Sequence, residues 1–263
     1  MKTSNPVINN LSSGDLTNSG RTLANSDGSL ANSVGTLTAN DIVQKTGITL
    51  AVIVVFASFN FGIAVSSNQS LSMILTVVGA IGGLIAVLVA AFSKNGYSSK
   101  LITLTYATFE GLFVGGLSLL LSGYMVGDSD AGMLIGQAII GTVGVFMSML
   151  WLYKSGKFQV TSKFNKIMLI LILGVLFATV VNLLVYMFTG INVLRDGGPI
   201  AIAFSVFCIV LAALSFMTDF DTADKLIDAE APKEMAWGVA LGLAVTLVWL
   251  YTEILRLLRY FKD

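Results

Sequence analysis

Seven long runs of apolar residues are the feature that most constrains how this chain folds. They cover roughly residues 46–65, 70–92, 100–121, 131–153, 165–189, 199–220 and 235–257. A helix that crosses ~30 Å of hydrocarbon needs about 20 apolar residues, so each run is long enough to span a bilayer. Lipid cannot satisfy an unpaired backbone, and no alternating β-barrel pattern occurs in the sequence, which leaves only helices. We therefore predict an all-α polytopic membrane protein built as a bundle of seven transmembrane helices.

The composition supports this fold class and excludes several functions. Only 11% of the residues are charged and the mean hydropathy is +0.84, whereas soluble domains carry about 25% charged residues. The 15 basic and 15 acidic residues balance, so no nucleic-acid surface is predicted. The chain has no histidine, which excludes Ser-His-Asp catalysis and His-ligated zinc. Its single cysteine, Cys208, cannot form a disulfide within the chain.

The N-terminal region differs in character from the rest of the chain. Residues 1–40 are rich in Ser, Thr, Asn and Gly, and bury too little apolar surface to offset the entropy of ordering. We therefore predict a disordered polar tail over residues 1–40 and a membrane domain over residues 41–263. Residues 38–41 read Thr-Ala-Asn-Asp, which resembles a capping box and predicts the start of the first helix.

The basic residues of the short connections predict the orientation of the helices, because Lys and Arg favour the cytoplasmic side. Lysines concentrate near the first run and in the second, fourth and sixth connections, and we expect all of these inside: Lys45, Lys94, Lys100, Lys154, Lys157, Lys163, Lys166, Lys225 and Lys233. Seven spans then place the C-terminus outside, although it carries Arg256, Arg259 and Lys262. Either this tail lies outside, or the seventh helix does not cross fully.

Four acids lie within the predicted spans and are the candidate ion- and proton-binding residues: Glu110, Asp219, Asp221 and Glu253. An acid at the centre of a membrane helix costs about 2.5–3.5 kcal/mol, so it usually faces a partner or a water-filled cavity. Carboxylates placed together can bind a proton or a hard cation such as Ca²⁺. The alternative for Asp219 and Asp221 is a helix end in the headgroup layer. For Glu253 it is an i,i+3 salt bridge to Arg256.

Uncharged residues within the spans predict how the helices pack. Asn60 and Asn182 are polar side chains inside apolar runs, and we expect each to bridge two helices. Three pairs of glycines have the small-xxx-small spacing that lets helices approach closely: Gly79 with Gly83, Gly111 with Gly115, and Gly238 with Gly242.

Several short motifs point to a known family through their order and spacing. Helix six ends with Phe-Asp-Thr at 220–222, and helix seven contains Leu-Tyr-Thr-Glu-Ile-Leu at 250–255. Residues 106–115 read YATFEGLFVG, and two further motifs follow, APKEMAW at 231–237 and VTLVWLY at 245–251. The first two resemble the Bax inhibitor (transmembrane Bax inhibitor motif, TMBIM) family, and the others are similar to a bacterial branch of it. The resemblance covers about residues 41–260.

The resemblance implies a bundle with helix seven near its centre and a pH-sensitive calcium leak. In the family, one acid on helix six and one on helix seven are held to share a proton and gate the path. The helix-six acid is then Asp221, with Asp219 in a competing register, and the helix-seven acid is Glu253, where the family has aspartate. Asp221 and Glu253 thereby become candidate Ca²⁺ ligands.

These two acids are 32 residues apart in the sequence, which in straight helices predicts a depth difference of roughly 20 Å. Direct pairing would need a broken helix, an irregular turn or another alignment.

Two functions of different classes follow. The leading one is a pH-sensitive calcium leak in which H⁺ and Ca²⁺ compete for the buried acids. The alternative is a non-transporting membrane regulator that binds a quality-control protease or a stress-response partner. We expect no enzymatic activity, because the Gly-x-Gly-Asp and Pro-Ala-Leu motifs of intramembrane aspartyl proteases are absent from the sequence. We expect no cofactor other than Ca²⁺ as a permeant or bound ion, and a multi-pass membrane location, in the plasma (inner) membrane if the source is bacterial.

Overall fold

The long apolar runs form long helices. The computed structural model describes residues 35–66, 68–93, 96–122 and 131–262. Within these ranges there is no β-strand, and two short 3₁₀ turns, Gly96–Ser98 and Lys233–Met235, accompany seven helices. Each helix is long and apolar enough to span a membrane, which confirms the predicted fold class. The helices are α1 (Ala39–Val65), α2 (Gln69–Phe92), α3 (Lys100–Leu121), α4 (Ala131–Lys154), α5 (Ser162–Thr189), α6 (Pro199–Asp228) and α7 (Ala236–Lys262).

The start of α1 follows the predicted capping box. The Asp41 backbone N–H donates to Thr38 Oγ1 at 3.3 Å, and the Thr38 backbone N–H donates to Asp41 Oδ2 at 3.2 Å. The compact unit already begins at Thr36, ahead of the predicted boundary at residue 41. Leu37 is buried, and its backbone N–H donates to the Ala231 carbonyl at 2.8 Å. The disorder predicted for residues 1–34 and the loop lysine Lys94 lie outside the described residues.

Helix α7 is the central element of the bundle, as expected. In its most apolar stretch 67% of the residues are buried, against 11% in α5. It packs against α1, α3, α4 and α6. Its Leu243 and Leu250 join a core with Phe216 and Phe220 of α6. A helix that is largely surrounded by other helices can hold a charged side chain away from lipid, and α7 holds Glu253 in this way.

Glycines set the close packing of α3 against α1, as the small-xxx-small spacing predicts. A Cβ atom built on Gly111 would lie 2.6 Å from the Ile53 carbonyl oxygen of α1. One turn later, a Cβ atom on Gly115 would overlap the Ala57 carbonyl oxygen. The two backbones are therefore in direct contact, a separation that no larger residue permits.

Two groups of contacts define the two ends of the bundle. At the lysine-rich end, Lys45 Nζ donates to the Lys233 carbonyl at 2.7 Å, and Lys233 forms a salt bridge with Asp41 at 2.9 Å. At the opposite end, which we call the far end, Tyr260 donates to the Arg195 carbonyl at 3.1 Å. Helix α7 runs from one group to the other over 27 residues, or about 40 Å. This supports the first of the two alternatives, in which the seventh helix crosses fully and its tail lies opposite the lysines.

We expect Gly111→Ala to destabilise the protein by about 1–3 kcal/mol, the usual cost of overpacking. The matched control is Gly47→Ala on α1, where a Cβ atom would have no neighbour within 4 Å. The control should stabilise slightly, since alanine favours a helix over glycine by up to about 1 kcal/mol. Thermal unfolding of both variants in detergent measures the difference. Equal midpoints for the two variants would contradict the close α1–α3 packing.

The orientation predicts opposite labelling of two introduced cysteines in a Cys208→Ser background. Asp196→Cys lies in the exposed α5–α6 connection at the far end, and Asp228→Cys lies at the exposed end of α6. In intact cells we expect a membrane-impermeant maleimide to label the first and not the second, because the lysine-rich end should be cytoplasmic. Labelling of the second cysteine alone would invert the topology.

Candidate functional site

Glu253 lies at the centre of a buried ion-pair cluster at the far end. Its side chain is only 3% exposed. One carboxylate oxygen lies 2.7 Å from Arg256 Nη1, one turn along α7, and 3.1 Å from Arg195 Nη1. The other oxygen accepts a hydrogen bond from Ser205 Oγ of α6 at 3.2 Å. The i,i+3 salt bridge to Arg256 is therefore present, and two further groups from outside α7 complete the cluster.

The connection between α5 and α6 places Arg195 in this cluster. Asn182 Nδ2 donates to Asn192 Oδ1 at 2.6 Å, and Asn182 Oδ1 accepts from the Leu194 backbone N–H at 3.1 Å. Asn182 thus fixes the connection that follows its own helix. The expectation that it bridges two helices was wrong, because its hydrogen bonds go to this adjoining connection instead.

Asp219 is the helix-six acid that faces α7. Its carboxylate accepts a hydrogen bond from Thr246 Oγ1 at 2.8 Å. No lysine or arginine within the described ranges forms a salt bridge with it. Asp219 is thus a partly buried carboxylate whose bonded partner is a neutral hydroxyl group, an arrangement that leaves its charge available to a proton or a cation.

Asp221 faces away from this contact. It forms an i,i+4 salt bridge with Lys225, whose side chain is 63% exposed. Nearby on the same helix, Asp224 accepts a hydrogen bond from Tyr153 of α4 at 2.7 Å. Asp221 therefore belongs to a solvated charged helix end, as in the headgroup alternative. Of the two candidate acids on α6, Asp219 is the one that faces α7.

The structure does not bring the helix-six acids to Glu253. Glu253 contacts Ser205, and Asp221 lies 16 residues further along α6, or roughly 24 Å at 1.5 Å per residue. Asp219 is nearer: Thr246, which it contacts, is 7 residues from Glu253 along α7, or about 10 Å. Each acid has its own partners, so the shared-proton pair implied by the family resemblance is not formed in this conformation.

Glu110 occupies a separate position between α3 and α2. Its carboxylate lies beside the Tyr106 side chain, one turn earlier on α3. It also lies against Gly83 of α2, where a Cβ atom would be 3.0 Å from Glu110 Oε2. Glycine at position 83 makes the room that this carboxylate occupies.

Asn60 bridges three helices, which confirms its predicted role. Its side-chain amide donates to Thr76 Oγ1 of α2 at 3.1 Å and to the Leu112 carbonyl of α3 at 2.7 Å. It is completely buried. Its contribution is therefore to hold α1, α2 and α3 together, and we assign it no role in ion binding.

Three partners of the acids were missed from the sequence. Ser205 and Thr246 are hydroxyl residues inside apolar helices, and such residues are too common there to stand out. Arg195 could have been found, because it is the single basic residue of the fifth connection and a buried Glu253 needs a cationic partner. No group of three or more His, Cys, Asp or Glu residues is placed to hold a metal in the described part of the chain.

Seven membrane-spanning helices around a buried acid on the last one define a multi-pass integral membrane protein. A family model described as Bax inhibitor 1 like matches residues 5–263. The chain therefore belongs to the Bax inhibitor 1 like family, and the match extends into the N-terminal tail. No curated protein matches the chain significantly.

We expect Glu253→Gln to destabilise the fold by about 3 kcal/mol, because removing one partner leaves buried charge uncompensated. This is the low end of the usual range, since Arg195 keeps 22% exposure. The matched control is Asp221→Asn, which removes an exposed i,i+4 pair worth about 0.3–0.5 kcal/mol. Unfolding in mixed micelles measures the free energy of unfolding of both variants. Equal losses of this free energy would contradict the buried ion-pair cluster at Glu253.

Proposed function

We propose that this membrane protein is a pH-sensitive cation leak that passes Ca²⁺, with the Glu253 cluster holding its far end closed. The observation that carries the proposal is the placement of Glu253. A carboxylate only 3% exposed is bound by arginines from two different elements, α7 itself and the connection between α5 and α6. Membership of the Bax inhibitor 1 like family supports it, given the calcium leak that the resemblance implies.

Protonation of Glu253 is the opening step of the proposal. A neutral carboxyl group no longer attracts the guanidinium groups of Arg195 and Arg256, which then repel each other across the space that it occupied. The α5–α6 connection is thereby released from α7. A proton shifts the conformational balance only as far as it binds the released state more tightly than the closed one. Through the release of Glu253, we expect flux to rise as the pH falls.

Asp219 has a separate role in the proposal, as the acid that receives the cation. Its charge is not neutralised by a salt bridge among the described residues, and Thr246 Oγ supplies a second oxygen. Ca²⁺ prefers 6–8 oxygen ligands, so water or backbone carbonyls would complete its shell. The arginines of the Glu253 cluster would repel such an ion, which makes Glu253 a lock rather than a Ca²⁺ ligand.

The alternative, a non-transporting regulator, is favoured by a different observation. Helix α5 packs mainly against α6, and of its 28 residues only Met168 is buried. Such a helix has most of its surface free for a second membrane protein. The two functions differ in whether the protein alone conducts ions.

The location and chemistry complete the proposal. No catalytic step is involved. For a bacterial source, the proposed location is the plasma membrane.

Ca²⁺ flux into dye-loaded liposomes, measured at pH values on either side of neutrality, tests the leak. We expect wild-type flux to rise as the pH falls. Glu253→Gln should conduct at all of these pH values, because its side chain is permanently neutral. Asp219→Asn should lower the flux throughout. Asp221→Asn is the matched control, since its partner is an exposed lysine, and it should keep the wild-type profile.

Two outcomes would overturn parts of the proposal. If purified wild type gives no flux above empty liposomes at any pH, the leak is wrong and the regulator remains. If flux occurs but Glu253→Gln retains the wild-type pH profile, the lock is not at Glu253. Size-exclusion profiles of all variants confirm that each is folded.

A further inference from the structure

A groove opens on the side of the bundle, and its lining residues do not include those of the ion-pair cluster. It has a volume of about 480 Å³. Helices α1 and α4 form its two walls, and α3 and α7 form its floor, with Val248 and Tyr251 of the central helix among the floor residues.

The groove extends over one leaflet of the membrane. Along α1 it runs from Leu50 to Phe61, and along α4 from Gly132 to Val143. Both stretches advance 11 residues, or about 16 Å. Half of a ~30 Å hydrocarbon core is about 15 Å. Because Gly132 lies at the start of α4 at the far end, the groove reaches from the far-end interface to the middle of the membrane.

The lining offers hydrocarbon rather than hydrogen bonds. Its hydroxyl groups are largely engaged within the protein: Thr142 donates to the Ala138 carbonyl at 2.7 Å, and Ser118 donates to the Val114 carbonyl at 2.6 Å. The Tyr251 hydroxyl lies 2.8 Å from Ser118 Oγ. Burying a polar ligand without partners is costly, so these walls favour an apolar occupant.

The width of the groove decides between the apolar occupants. A volume of about 480 Å³ over about 16 Å of length gives a mean cross-section of about 30 Å². A helix 10–12 Å in diameter has a cross-section of roughly 80–110 Å², so a partner helix could only rest its side chains on the groove, whereas an acyl chain can lie along its length. The groove is also continuous with the lipid-facing surface, because Val54, Ile139 and Val143 line it and are each more than half exposed.

We propose that this groove is a binding site for an acyl chain of a bilayer lipid in the far-end leaflet. The chain lies between α1 and α4 and contacts α7 at Leu247, Val248 and Tyr251. The lipid thereby reaches the central helix, which is otherwise enclosed by protein. The site does not depend on the ion leak, and the two can be tested separately.

Photolabelling in liposomes tests this site. The full-length protein is reconstituted with a phospholipid that carries a diazirine on its acyl chain, irradiated, and mapped by peptide mass spectrometry. We expect label on the α7 peptide that contains residues 247–251. Ser58→Phe places a ring in the groove and should remove that label. Ser148→Phe, which adds the same ring at an exposed serine outside the groove, should keep it.

A second pair of variants keeps the test valid if a variant of the first pair fails to fold. Gly132→Leu fills the groove from α4, and Gly144→Leu is its control on the same helix; a Cβ atom at either glycine has no neighbour within 4 Å. Label on the exposed surface of α5 serves as the internal reference. The proposal is overturned if α5 is labelled and the α7 peptide is not. It is equally overturned if label on the α7 peptide persists in both groove-filling variants.

Discussion

The ionised carboxylate of Glu253 is the group around which the far end of the bundle is arranged. A charge in hydrocarbon is tolerated only when it is paired and hydrogen-bonded. Here that requirement draws together the α5–α6 connection through Arg195, α6 through Ser205 and the next turn of α7 through Arg256. Two segments distant in sequence and the next turn of α7 are therefore positioned by one side chain. Arg256, the first of the three basic residues of the C-terminal tail, is thereby paired with an acid of its own helix.

The fold was largely predictable because membrane helices follow from length and hydropathy, and the first helix has a local capping signal at Thr38. The site was predictable only in part. Glu253 is recognisable as a rare acid in an apolar helix, and its i,i+3 partner Arg256 is local, but its two other partners come from segments 48 and 58 residues away. Which of Asp219 and Asp221 faces α7 depends on the rotation of α6, and two residues along a helix differ by about 200° in direction. Neither the distant partners of Glu253 nor the rotation of α6 about its axis can be read from a local sequence pattern.

The positions of Asp219 and Asp221 show that a family motif alone does not identify the helix-six acid that contacts α7. Phe-Asp-Thr selects Asp221 as the helix-six acid, whereas the contact across the helix interface belongs to Asp219 through Thr246. Asp221 instead pairs with an exposed lysine on its own helix. A motif locates a helix and its approximate depth in the membrane. The packing of the helices decides which acid on that helix contacts its neighbour.

The segment before α1 is joined to the start of α7 by a backbone hydrogen bond from Leu37 to Ala231 and by the bridge between Thr36 and Pro232. Ala231 and Pro232 directly precede the 3₁₀ turn that leads into α7, so the segment ahead of α1 is held at the base of the central helix. The other end of the same helix holds Glu253. A single helix therefore connects the contacts of the N-terminal segment with the ion-pair cluster at the opposite end of the bundle.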